Sequence, residues 1–131
     1  MTLVVDASIV AALLVDHGPD GVWAERTMQG EQLVAPHLLP VEVANILRRA
    51  VRSRQISEDT AALAHRDLLA LPVALVPYEP FAERVWALRA NVTAYDAWYV
   101  ALAEALPAPL ATLDIKLSRS SGPRCRFVVP G

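Results

Sequence analysis

The reading turns on residues 2–14, "TLVVDASIVAALL" (Thr2–Leu14). An apolar run ending at Val5 meets a carboxylate, Asp6, and a second apolar run begins at Ala7 without a break. A short apolar run reads as a buried strand, and a longer one headed by an oxygen-bearing side chain reads as a helix. Asp6 therefore stands where a strand passes into a helix. A charge between two buried segments is either the cap of that helix or the edge of a site.

Outward from this point the same unit recurs. Short strands are predicted at Leu3–Asp6, Leu33–Ala35, Val73–Val76 and Leu110–Thr112, with an edge strand at Arg126–Val129. Helices are predicted from Ala7 to Val15, from Val22 to Met28 after a break at "HGPDG", and from Leu38 to about Arg54 with Pro40 in the first turn. Ser57 suits the N-cap of the next helix, with Leu63, Leu68 and Leu69 on its buried side. Two further helices follow at Pro80–Asn91 and Thr93–Leu106, and a short one after Asp114. Apolar strands alternating with helices imply an α/β fold: a central parallel sheet of four to five short strands between two helix layers. In such sheets, ligands gather outside the carboxyl ends of the strands.

Composition sets the class. The 131 residues are 54% hydrophobic and 20% charged, which suits one folded domain over residues 1–131 and argues against disorder. Twelve basic against 14 acidic residues give a net charge of −2, so any basic surface is local. The lone Cys125 and the scattered His17, His37 and His65 allow neither a disulfide nor a zinc cluster. No apolar run reaches the ~20 residues of a membrane span, and no secretory signal is evident, so the expected location is the cytoplasm.

Most acids, Glu104 among them, fall in polar or turn surroundings and read as solvated. Four do not. Asp6 closes the first strand, Glu42 lies in the first turn of the helix after the second strand, Asp96 lies in the first turn of the sixth helix, and Asp114 follows the fourth strand. Taken singly, each is a good helix-start acid, favoured by the dipole and by capping. Taken together, strand exits and the helix starts that follow them share one edge of a parallel sheet. Asp96 also shares a helix face with Tyr99 and Val100. Crowded carboxylates repel one another unless they take up protons or a cation, and all-oxygen ligation favours Mg²⁺ or Mn²⁺. Ser8 and Thr112 lie beside these acids, where a hydroxyl can orient a carboxylate or bond local backbone.

The stretches "VVDASIVAALL", "LPVEVANILRRA", "TAYDAWYVALAEAL" and "LATLDIKL" resemble the PIN domain, and within it the VapC toxins of bacterial toxin–antitoxin pairs. The resemblance runs from Leu3 to about Leu117. It implies a PIN-like three-layer α/β/α fold and a Mg²⁺- or Mn²⁺-dependent endoribonuclease that inhibits translation and growth. By position it implies Asp6, Glu42, Asp96 and Asp114 as the catalytic and metal-holding quartet, with Asn45 and Thr112 as polar groups near them. Lys116 stands where some relatives carry a further acid. The resemblance also implies a homodimer and a cognate VapB-type antitoxin, with DNA bound only through the antitoxin.

RNA has to be held as well. Arg48 and Arg49, with Arg52 and Arg54 further along, follow Glu42 on its helix; Lys116, Arg119, Arg124 and Arg126 follow Asp114. Either group can contact phosphates, and either can be a solvated face. Trp23, Trp86 and Trp98 are expected in core or dimer packing. The rival readings are a receiver-like signalling domain and a non-catalytic binding module. A receiver needs a phosphorylatable Asp ending its third strand, where "VALVPYEP" offers only Glu79.

Overall fold

A computed structural model describes residues 1–131. Its elements alternate as β1 (Thr2–Val5), α1 (Ala7–Val15), α2 (Pro19–Met28), β2 (Gln32–Pro36), α3 (Leu39–Arg52), α4 (Glu58–Ala70) and β3 (Val73–Val76). A 3-10 turn (Glu79–Phe81) leads into α5 (Ala82–Ala87), then α6 (Ala94–Ala105), β4 (Leu110–Ala111), α7 (Ile115–Ser118) and β5 (Phe127–Val128).

The five strands are all parallel, in the order β3-β2-β1-β4-β5. Val4 is the centre of the register, opposite Val34 on one side and Leu110 on the other. Side chains flanked by strands on both sides are cut off from water, so "LVV" of β1 is uninterrupted in its apolar character, and Leu3, Val4 and Val5 are all buried. Right-handed crossovers from β1 to β2 to β3 put α1 to α4 on one face, where they pack on one another. The return crossover to β4 puts α5 and α6 on the other face, with α6 lying across β1, β2 and β4. Ile9 and Val10 of α1 and Tyr99, Val100 and Leu102 of α6 seal the two faces.

The chain steps outward from β1 on one side and then reappears on the other as β4. The sheet thus reverses direction between β1 and β4, and this is the crevice where open α/β sheets bind ligands. A receiver's strand order is 2-1-3-4-5 instead, and β3 here is an edge strand with no carboxylate at its exit, so the receiver alternative fails.

Local corrections have local causes. Helix α2 starts at Pro19, inside the predicted break, because proline fits the first helical position and Gly18 turns the chain before it. The predicted helix at Pro80–Asn91 shortens to a 3-10 turn and the six residues of α5. In α4, Ser57 caps Thr60 N as expected, but only Leu68 and Ala64, one turn apart, face inward; Leu63 and Leu69 are exposed. Trp23 is half-buried and Trp98 stacks edge-on against Tyr78, 5.3 Å between ring centres. Trp86, by contrast, is exposed under the Arg89 guanidinium at 4.5 Å rather than in the core. Glu104 is not a solvated acid: it is mostly buried and takes both Arg84 Nε (2.7 Å) and Nη2 (3.1 Å).

Candidate active site

Asp6 is both a cap and an edge. Its Oδ1 accepts the Ser8 and Ile9 amides of α1 at 3.0 and 3.2 Å, the capping bonds its position predicts. Oδ1 also accepts Ser8 Oγ at 2.6 Å, and Oδ2 accepts Thr112 Oγ1. Thr112, fully buried, receives the Asp114 amide on that same oxygen (2.9 Å), and Ser8 Oγ receives the Leu113 amide (3.0 Å). Ser8 and Thr112 therefore do both of the things open to them. Each bonds backbone at the β4 exit and each holds the Asp6 carboxylate, which ties the β1 and β4 ends together across the crevice.

Glu42 enters from the first turn of α3, where the β2 exit and the helix start leave it half-buried. Tyr99 Oη donates to its Oε1 at 2.6 Å. Asp96 sits one turn before Tyr99 on α6, and its amide is capped by Thr93 Oγ1 at 3.2 Å. Asp114 caps α7 through the Leu117 amide at 3.0 Å and is otherwise exposed.

These placements make one electrostatic neighbourhood. Burial pushes the Asp96 carboxyl up to about 6, and the negative charges of Asp6, Asp114 and Glu42 push in the same direction, against the Thr93 hydroxyl. Burial raises Asp6 more than its Ser8, Thr112 and amide bonds lower it. Burial also raises Glu42, with the Asp6 charge adding to it and the Tyr99 bond opposing. Tyr99, buried beside three of these carboxylates, is held far from ionising and stays a donor.

Asn45 is exposed on α3 and makes no hydrogen bond to the acids. Arg48 lines a groove with Ala44, Leu47 and His65 between α3 and α4 that contains none of the acids, while Arg49 is exposed on α3. Lys116, which lines a cleft with Asp114, and Arg119, just after α7, are exposed and form no ion pair. Tyr99 is the residue that sequence reasoning undervalued, as a packing neighbour of Asp96; its signal was the three-residue spacing that puts a phenol on the same face as a carboxylate.

The family model of the PIN domain matches residues 3–122. Ribonuclease VapC1 of Mycobacterium tuberculosis is 44% identical over 128 residues, covering 95% of this chain and 94% of that protein. This chain is a PIN domain of the VapC family. Among solved structures, PAE2754 from Pyrobaculum aerophilum matches at TM-score 0.71 and 25% identity, over 97% of this chain and 83% of that one. VapBC2 from Rickettsia felis, solved bound to a DNA fragment from their promoter, matches over the full length of both chains at TM-score 0.71 and 12% identity, a likeness of fold.

As a cation site, this PIN domain offers the right donors in an open arrangement. The acids and Thr112 supply only oxygen, the chemistry of a hard divalent ion. No three His, Cys, Asp or Glu side chains are gathered closely enough to hold one ion. Two of the acids are already held by the chain: Asp6 by Ser8 and Thr112, and Glu42 by Tyr99.

Proposed function

We propose that this PIN domain, spanning residues 1–131, is a Mg²⁺-dependent endoribonuclease, with Mn²⁺ as a substitute, and the toxin of a VapBC-type pair. The observation that carries this is the convergence of the acids: Thr112 of the β4 exit holds Asp6, Asp96 and Asp114 line one cleft, and Tyr99, one turn after Asp96, holds Glu42. The relatives' name, ribonuclease VapC, supports RNA as the substrate. VapBC2, solved bound to a DNA fragment from their promoter, supports a cognate VapB-type antitoxin; that the antitoxin carries the DNA contact and neutralises the toxin belongs to the same reading. A homodimer and an effect on translation and growth belong to the same reading.

Asp6, Glu42, Asp96 and Asp114 would hold the ion. Bound there, it supplies positive charge that polarises phosphoryl oxygen and favours ionised water. The chain's own groups do the positioning. Thr112, at the β4 exit, and Ser8, in the first turn of α1, fix the Asp6 carboxylate in place. Tyr99 fixes one oxygen of Glu42 and leaves the other free. Lys116, unpaired and lining the same cleft as Asp114, meets the anionic backbone that the acids alone would repel, and Arg119, exposed after α7, adds positive charge to that end of the chain. Hydrolysis then forms one P–O bond from water and breaks the bond to the leaving ribose oxygen, which takes up a proton. No Ser or Cys nucleophile is needed.

The test is cleavage of RNA by purified, antitoxin-free protein with Mg²⁺, with EDTA, and as Asp6→Asn. Chelation and the variant should each lower the rate about a hundredfold or more. Equal cleavage in all three ends the reading.

A further inference from the structure

A cleft of about 320 Å³ opens beside the acids, between the loop before α6, the first turn of α6 and α7. Asp96 and Asp114 line it together with the polar Asn91, Thr93, Lys116 and Ser120. This volume lies at the lower end of the ~300–1,000 Å³ range of ligand sites, so it suits one small flat unit rather than a helix or a folded partner. Two of its polar groups are unspent. Lys116 has no ion pair, and the Asn91 amide, exposed, has no hydrogen-bond partner in the chain.

The outer wall of the cleft is held deliberately in place. Behind Asn91 lies Gly122, at φ +104, where a Cβ would stand 3.1 Å from Leu88 Cδ2 and 3.5 Å from Asn91 Nδ2. Arg84 donates from Nη2 to the Gly122 carbonyl (3.0 Å) while its Nε and Nη2 grip Glu104, and Glu104 Oε2 takes the Arg124 amide (2.7 Å). One guanidinium thus pins α5, α6 and the turn at residues 121–124 together. That turn lies against Asn91, which lines the same cleft as Asp96 and Asp114.

We propose that this cleft seats the nucleotide next to the scissile phosphodiester, Lys116 meeting its phosphate and the Asn91 amide reading its base edge. A carboxamide presents a donor and an acceptor side by side, the pair that a base edge matches. This rests on the ribonuclease reading above, and it commits the bound strand to the α6–α7 side of the acids rather than to the arginines of α3.

The experiment uses two readouts on the whole chain. The first is cleavage of short RNAs that differ only in the bases flanking the cut. The second is binding of the same sequences as non-cleavable 2′-O-methyl oligonucleotides. Asn91→Ala should flatten the preference at one flanking position by about tenfold. Lys116→Ala should weaken binding of all sequences alike and lessen its salt dependence. Arg49→Ala should do neither. An unchanged base preference in Asn91→Ala, in either readout, overturns the proposal, as does loss of binding in Arg49→Ala with none in Lys116→Ala. Failure of the ribonuclease reading is separate: the wild type then cleaves nothing, and the binding arm still decides whether the cleft reads a base.

Discussion

Asp6 accepts bonds from two α1 amides and from the hydroxyls of Ser8 and Thr112, yet burial still holds its carboxyl above the ordinary range. The Thr112 bond spans the crevice between β1 and β4, and its loss leaves a buried carboxylate oxygen without a donor. Thr112→Val, nearly the same shape, should therefore cost about 1–3 kcal/mol in urea unfolding and slow RNA cleavage about tenfold. Asp96 gives the pH dependence. Its carboxyl moves from 3.8 to about 6 on folding, by burial and then by the charges of Asp6, Asp114 and Glu42. Between those values the folded chain holds a proton that the unfolded chain has released. Stability of the cation-free protein should fall as pH rises from about 4 to about 6 and level off above. A divalent ion binds the ionised form, so Mg²⁺ should raise the melting temperature clearly at pH 7.5 and hardly at pH 5. A gain from Mg²⁺ that is equal at both values would detach Asp96 from the ion.

At the scale of elements, the site depends on where helices begin. Asp6, Thr93 and Asp114 each cap a helix, and Glu42 and Asp96 stand in first turns, so the amides that stabilise a helix start also set the acids' places. Helix α1 must hold its angle for this to work, and α2 packs against its far end. Gly21 marks the contact: a Cβ there would fall 1.8 Å from the Asp16 carbonyl oxygen. Gly21→Ala should consequently destabilise the fold by about 1–3 kcal/mol or more, despite alanine's better helix propensity, as thermal or urea melts will show. Ser57→Ala, which removes the Thr60 cap of α4, should cost only about 1 kcal/mol and leave cleavage unchanged, because α4 carries none of the acids.

Over the whole molecule, the carboxyl-end segment is attached by few strand bonds, since β4 and β5 are two residues each. The Arg84–Glu104 pair compensates. Burial alone would raise Glu104, but the Arg84 bond, the Arg124 amide and the two guanidinium charges hold it below its ordinary value. Cys125 beside it is pushed up to about 11 by burial first and by Glu104 second, which keeps the thiol protonated. Glu104→Gln should speed amide hydrogen exchange across residues 119–126 while leaving β1 and β2 protected, and an unchanged exchange pattern would show that the pair does not hold the segment.

The alternation of short apolar strands with helices settled the α/β class, and acids at their junctions made Asp6, Glu42, Asp96 and Asp114 the candidate site. Both are local properties: side-chain period and helix-start chemistry are written in neighbouring residues. Only the tertiary structure decided what depends on distant partners. The order β3-β2-β1-β4-β5 put the β1 and β4 exits side by side, so Thr112 could reach Asp6, and α6 packed across β1, β2 and β4 brought Tyr99 to Glu42. It also turned Glu104 from an apparent surface acid into the grip for Arg84, and sent Arg48 to a groove away from the acids. Such pairings join residues tens of positions apart, and nothing in the local sequence encodes them, because they arise from which faces the packed layers bring together.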